Sequence, residues 1–242
     1  MSGAPDLRRW PEPERRAPAR SQPTWAVRAP LAEWLQREAR RAADELGSYS
    51  VLDVGCGAKP YYPFFAPYAS SYVGVDRQNP AAELEGTAED VPAEDGTFDL
   101  VLCTQVLEHV DDPAAAVREL RRVAAPGGRV LASTHGVQFY HPNPDDYWRW
   151  THAGLARLFR ENGDWARLEV APGSGTAACV GMLLNVYADL ALRRLRLAPL
   201  ARAFCSVVNT AAAAVDARSP RLREPGHTSL HANYHVVAEV PR

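Results

Sequence analysis

Short apolar runs alternate with stretches of helical periodicity through the middle of this chain. Val51-Leu52-Asp53-Val54 and Tyr72-Val73-Gly74-Val75 are brief and bounded by polar residues, as buried strands are. Phe98 to Val101, Arg129 to Thr134 and Ala166 to Val170 read the same way. Between them, Asp112-Pro113 opens a helix with a capping carboxylate and a proline in its first turn, and Pro126-Gly127-Gly128 ends it. Thr151 opens another, with Leu155, Leu158 and Phe159 on its apolar side, and Asn162-Gly163 stops it. Residues 231–240 alternate, with Tyr234, Val236, Ala238 and Val240 on one face. Such strand–helix alternation predicts an α/β fold, a mostly parallel sheet covered by helices on both faces.

The flanks differ. Residues 1–30 hold six prolines and six arginines and little to bury, which predicts a mobile basic arm ahead of one domain over 31–242. From Leu31 to Leu46, Leu31, Trp34, Leu35 and Ala39 recur at helical spacing, and Trp34 is placed either to pack this helix on the sheet or to help close a site. Residues 176–217 form a helical insert before the last strand. Asn185, Asp189, Arg193 and Arg196 make one polar stripe there, and Leu183, Val186, Tyr187 and Leu190 the opposite apolar face. That face should be covered by protein, as a roof over a substrate pocket or as a homodimer contact. A membrane surface ranks third, because the face is alanine-rich and its charge modest.

Composition narrows the picture. The 242 residues carry a net charge of −2, which offers no field for nucleic acid. Cys56, Cys103, Cys179 and Cys205 make no CxxC pair and read as reduced thiols, which suggests a cytoplasmic protein. No leader-like apolar region follows the first residues, and no apolar run reads as long enough to span a membrane. His227, His231 and His235 recur at four-residue steps, but no acidic or thiol ligand accompanies them, so no metal is expected.

The chemistry lies after the first strand. Gly55-Cys56-Gly57 permits a sharp turn with close backbone approach to a ligand, and Asp76 lies 19 residues beyond Gly57 at the end of the second strand, where a carboxylate can accept ribose hydroxyls. A dinucleotide fingerprint needs a further glycine where Pro60 stands. Asp53 before the first glycine, Thr87 to Pro92, Gly96 to Val101, Gln105-Val106-Leu107-Glu108-His109-Val110 and Pro126-Gly127-Gly128 follow in order. With these, residues 47–135 closely resemble the class I S-adenosylmethionine-dependent methyltransferases. The resemblance implies a Rossmann-like seven-stranded sheet whose last strand is antiparallel and lies between strands five and six. It implies S-adenosyl-L-methionine as cofactor, with Gly55, Cys56 and Gly57 against its methionine and ribose, Asp53 supporting the turn, and Asp76 on the ribose hydroxyls. Arg77, Ala88 and Glu89 would flank the adenine, and Gln105 would line the methionine side. Lys59 stands where the family often has another glycine, which an outward side chain would allow. The Glu108-His109 pair implies packing and hydrogen bonding rather than catalysis.

Ligands in such sheets bind beyond the carboxyl ends of the strands. His135 ends strand five, and an aromatic loop from Tyr140 to Thr151 follows. Its Asp-Tyr-Trp-Arg-Trp-Thr run resembles one in a bacterial methyltransferase subgroup. His135 or His141 is placed to take a proton from an acceptor hydroxyl, and Tyr140, Tyr147, Trp148 and Arg149 to bind the acceptor. A plainer alternative has the aromatics anchoring the loop and Arg149 pairing with Asp145 or Asp146. These readings predict methyl transfer to a small-molecule acceptor, a hydroxyl of a sugar or secondary metabolite first. An amine, a lipid-linked saccharide, or an adenosyl-binding module without catalysis are the alternatives.

Overall fold

The computed structural model describes residues 7–242. Seven strands form one sheet: β1 (Tyr49–Val54), β2 (Ala69–Asp76), β3 (Leu84–Glu85), β4 (Phe98–Thr104), β5 (Ala124–His135), β6 (Arg167–Pro172) and β7 (Asn233–Glu239). Their order is β3-β2-β1-β4-β5-β7-β6, with β7 antiparallel to both neighbours and the other pairings parallel. This is the expected Rossmann-like sheet, with the last strand inserted between β5 and β6.

The strands read as apolar runs because helices cover both faces. On one face, Leu52, Val101, Val130 and Val236 pack with α4 (Pro113–Val123) and α5 (His152–Glu161). Asp112 caps α4 by accepting from Ala114 N and Ala115 N, and Thr151 caps α5 by accepting from Gly154 N. On the other face, Leu100, Leu102, Leu131 and Val237 pack with α2 (Trp25–Leu46). Trp34 stacks on His235 with ring centroids 4.5 Å apart, so it fastens α2 to β7.

The N-terminal segment is not the mobile arm that composition predicts. Residues 1–6 lie outside the described part, but from Leu7 the chain is structured. A short helix, α1 (Pro13–Arg16), precedes α2, which begins at Trp25 and carries Pro30 within its second turn. The Trp10 indole donates to the Lys59 carbonyl at 2.7 Å, and Arg16 Nη1 donates to the Pro60 carbonyl at 2.6 Å. The prolines break the segment into short pieces but leave its side chains free to anchor it.

The insert is a hairpin of α6 (Thr176–Arg194) and α7 (Ala198–Arg218), and Asn185 and Tyr187 exchange the places expected of them, whereas Leu183 packs inward and Arg193 and Arg196 are exposed as expected. Asn185 is fully buried and Tyr187 is 66% exposed. Buried amides explain the inversion: Asn185 Nδ2 donates to Asn209 Oδ1 at 2.8 Å, and Asn209 Nδ2 donates to the Arg20 and Gln22 carbonyls. Gly181 lets α7 approach closely, since a Cβ there would meet Val208 at 3.1 Å. By length and composition α7 could also cross a membrane, contrary to the expectation that no such run exists.

Candidate active site

At the carboxyl end of β1 the chain turns through Gly55 and Gly57, both with positive φ (70° and 51°). Gly55 N and Cys56 N both donate to the Val75 carbonyl, tying the turn to β2. The two glycines serve different needs. A Cβ on Gly55 would stand 2.4 Å from Val106 Cγ2, whereas one on Gly57 would meet nothing within 4 Å. Gly55 is required by the protein's own packing; Gly57 borders open space. Asp76 closes the turn, its Oδ2 accepting from Gly57 N at 2.9 Å and its Oδ1 from Gln78 N and Asn79 N at 3.1 Å each. A carboxylate has about four acceptor positions, so one is left for a ligand hydroxyl.

Behind the turn, Asp53 is buried and accepts from the Tyr72 hydroxyl at 2.6 Å. Burial pushes its pKa up to about 7, against the opposing hydrogen bond from Tyr72. Burial likewise pushes the Cys56 thiol up to about 12, which makes it an inert filler. Lys59 corrects the expectation of an outward side chain. It adopts φ 53°, is buried, and pairs with Glu83, which also accepts from Gly74 N at 2.6 Å. Gly74 makes room for it, since a Cβ there would meet Lys59 Cε at 2.5 Å.

Gln105, at the end of β4, also has positive φ (57°). Two bonds to Ser133 hold it: Gln105 N to the carbonyl at 2.8 Å and Nε2 to Oγ at 2.9 Å. Val106 then returns to cover Gly55. Asp53, Gly55, Cys56, Gly57, Asp76 and Gln105 therefore share one rim. Arg77 is exposed and Ala88 buried. Glu89 Oε1 accepts from Asp111 N at 2.9 Å, which ties its loop to the start of the next one, and Thr87 Oγ1 accepts from Asp90 N at 3.1 Å within its own loop.

The candidate acceptor side is built around Glu108. Its carbonyl accepts from Tyr147 N and Trp148 N, and its fully buried carboxyl accepts from the Thr134 hydroxyl at 2.8 Å. Burial pushes that carboxyl up to about 7. Its other oxygen lacks a hydrogen bond and stands 3.3 Å from His135 Nε2. The same nitrogen lies 2.9 Å from His141 Nε2. His135 is itself buried, and burial, with the charge of Arg149 and the other imidazoles, brings its pKa down to about 3. It is therefore neutral and sits behind His141, rather than pointing openly into the site as its place on the strand suggests. His141 is the half-exposed member of the pair.

Arg149 follows the plainer alternative. Its Nη1 and Nη2 clasp Asp146 at 2.5 Å each, and the remaining donors go to the Gln138, Phe139 and Trp148 carbonyls. All its donors point into the loop, which leaves no free fork for a ligand carboxylate or phosphate. Trp148 is similarly engaged, donating to the Val110 carbonyl at 2.8 Å and stacking on Trp150. Tyr140 and Tyr147 stand out from the loop, Tyr140 at 73% exposed. His109 belongs to the same cluster, its Nδ1 bonded to the Asp145 carbonyl at 2.8 Å. His109, His141 and Asp146 offer ligand atoms within 4.8 Å of one another, but the Arg149 cation already occupies both Asp146 oxygens. His231 and His235 do not converge: one bonds the Ser174 carbonyl and the other stacks on Trp34.

Sequence reasoning missed Trp10 and Arg16, which brace the backbone just after the glycine turn. Trp10, a large apolar residue in a Pro/Arg-rich stretch, was the available signal.

Comparison with known proteins agrees with this fold. The family model described as "Methyltransferase domain" matches residues 26–169. The ubiquinone biosynthesis O-methyltransferase of Pseudomonas paraeruginosa is 38% identical over 105 residues, which are 37% of this chain and 45% of the relative. The uncharacterized methyltransferase YcgJ of Bacillus subtilis is 32% identical over 39% of this chain and 44% of its own. The chain thus spans less than half the length of these curated relatives. The crystal structure of YcgJ superposes with a TM-score of 0.51 at 20% identity, covering 87% of this chain and 99% of that one. A Haemonchus contortus phosphoethanolamine N-methyltransferase 2 in complex with S-adenosyl-L-methionine has a TM-score of 0.52 at 14% identity, covering 99% of this chain and 61% of that one.

Proposed function

The chain belongs to the methyltransferase domain family, and on that premise we propose that it transfers a methyl group from S-adenosylmethionine to a hydroxyl of a small acceptor. The residues present fit the cofactor: open space beside Gly57, a lone pair left on Asp76, and a backbone held at positive φ at Gln105. When bound, the cofactor supplies an electrophilic methyl on a sulfonium centre. Gly55, Cys56 and Gly57 would hold its methionine and ribose portion, Asp76 the ribose hydroxyls, Arg77, Ala88 and Glu89 the adenine side, and Gln105 the methionine side. Asp53 supports the turn from behind.

The protein's remaining task is to hold the nucleophile close and in line and to accept its proton. The observation that carries the reading is the half-exposed His141 imidazole, 2.9 Å from neutral His135 and backed by Glu108. His141 takes the proton, and His135 fixes its orientation. Tyr140 and Tyr147 offer faces to a sugar or planar ring. Relatives named as O-methyltransferases support oxygen as the acceptor atom. Incubation with isotopically labelled S-adenosylmethionine and a panel of hydroxylated and amine acceptors tests this. His141→Ala should slow transfer to the hydroxyl by roughly 10²–10⁴-fold with S-adenosylhomocysteine binding unchanged. Transfer to amines alone, indifferent to His141, would replace the reading with N-methylation; no transfer to any acceptor would leave a binding module.

A further inference from the structure

We propose that the α6–α7 hairpin is a docking plate for the surface of an anionic lipid bilayer. On α6 Val180 and Leu184, at its C-terminal end Leu195, and on α7 Leu200, Phe204 and Val207 lie on the side away from the body, all exposed. Leu184 is 56% exposed and Val207 69%. A surface of this kind is an interaction site in a folded protein.

The hairpin cannot roll over to hide that face. Its inner side carries the buried Asn185–Asn209 pair, and Asn209 is bonded to the Arg20 and Gln22 carbonyls. Asp216 of α7 caps α6, accepting from Ala177 N at 3.0 Å and Ala178 N at 2.9 Å. Turning α7 outward would strand these buried polar groups. The same anchors keep α7 lying against the body instead of crossing a bilayer, although its length and composition would allow a span.

Charge selects the occupant. Residues 176–223 contain seven arginines, all exposed, against two carboxylates, in a chain whose net charge is −2. Of those carboxylates, Asp216 is buried in its cap and Asp189 is paired with Arg193. Arg194, Arg196 and Arg202 lie at the hairpin's tip, and Arg218, Arg221 and Arg223 at its base. An apolar plate with cationic ends matches acyl chains beneath anionic headgroups. A second copy fits less well, because a two-fold contact sets this arginine-rich surface against itself. The plate adjoins the acceptor loop: Tyr187 meets Phe139 edge-on at 5.6 Å, and the Phe139 carbonyl holds Arg149. If the proposed methyl transfer holds, the acceptor is then an amphiphile presented from the bilayer.

Vesicle co-sedimentation of the full chain tests docking without reference to turnover. Phosphatidylcholine vesicles containing phosphatidylglycerol should bind it about tenfold or more tightly than phosphatidylcholine alone, and added salt should weaken binding. Leu184→Asp and Val207→Asp alter exposed side chains, so each should keep the melting temperature and lower vesicle binding by about tenfold or more. Arg194→Gln with Arg196→Gln should remove the preference for anionic lipid. Absence of sedimentation with anionic vesicles, or binding undiminished in both aspartate variants, overturns the proposal. So does a dimer, seen by size exclusion with light scattering, that Val207→Asp dissociates while wild type ignores vesicles.

Discussion

The contrast between Gly55 and Gly57 gives the sharpest test of where the cofactor lies. Both residues have positive φ, so alanine at either costs about 1–2 kcal/mol in backbone strain. At Gly57 nothing further should be lost by the fold, because the new methyl meets no atom within 4 Å. In a chain of this size that strain corresponds to roughly 2–8 °C in melting temperature. At Gly55 the methyl would sit 2.4 Å from Val106 Cγ2, which adds about 1–3 kcal/mol for overpacking. Thermal denaturation should therefore rank Gly55→Ala below Gly57→Ala. Val106→Ala should recover much of the difference, since the two sites couple through that one contact. Calorimetric titration with S-adenosylhomocysteine should give the opposite pattern. Gly57→Ala fills the space assigned to the ligand and should weaken binding by about tenfold or more, while Gly55→Ala/Val106→Ala keeps measurable affinity. Wild-type affinity in a folded Gly57→Ala protein would show that the open space beside Gly57 is solvent, and the cofactor assignment would fail with it.

Asp76→Ala should weaken S-adenosylhomocysteine binding by roughly 1.5–3 kcal/mol, read by the same titration, because it removes both the ribose acceptor and the brace on Gly57 N. Arg149→Lys should lower stability by about 2–3 kcal/mol in urea denaturation, since a lysine cannot reproduce the two-pronged grip on Asp146 or the three carbonyl contacts. A stable variant with impaired acceptor binding would instead return Arg149 to the ligand. Glu108 titrates at about 7 in the fold against 4.5 ordinarily, so its contribution is complete below pH 4.5 and is lost as pH rises through 7. Glu108→Gln removes that loss, and its stability relative to wild type should improve by up to about 3 kcal/mol between pH 4.5 and pH 7. A constant difference across that range would mean that Glu108 is ionised in the folded state.

What could be read from sequence followed periodicity and local backbone rules. The buried strands, the Asp112 and Thr151 caps and the Gly55–Asp76 turn all rest on short-range signals, whereas the antiparallel last strand followed from the family resemblance. The departures at Asn185 and Lys59 have a different cause, in that each depends on what a side chain meets far along the chain. Arg149 was open to two readings, acceptor binding or pairing with Asp145 or Asp146, and the nearby Asp146 with three carbonyls takes all its donors. Asn185 was placed on a polar face, and its true partner is Asn209 on the neighbouring helix. Lys59 was turned outward in the reading, yet Glu83 draws it inward through room that Gly74 leaves. For Asn185 and Lys59 a polar group is buried because a long-range partner satisfies it, and hydropathy alone assigns such groups to solvent.

The same long-range bonds bear on how one framework could serve many acceptors. The loop carrying Tyr140 and Tyr147 is fastened by its backbone: Tyr147 N and Trp148 N to the Glu108 carbonyl, and Trp150 N to the His135 carbonyl. Those anchor residues continue from β4 and end β5, the strands whose rim also carries Gln105 and Ser133. The cofactor turn and the acceptor loop are therefore referenced to one rigid edge, and in-line transfer depends on that mutual placement. The groups that fix placement are backbone amides, buried carboxylates and an inward arginine. Those proposed to face the acceptor, Tyr140 above all, are exposed. Substitution at Tyr140 can then alter which acceptor is held without moving the nucleophile's path to the methyl group, and precision and specificity reside in different atoms of the same loop.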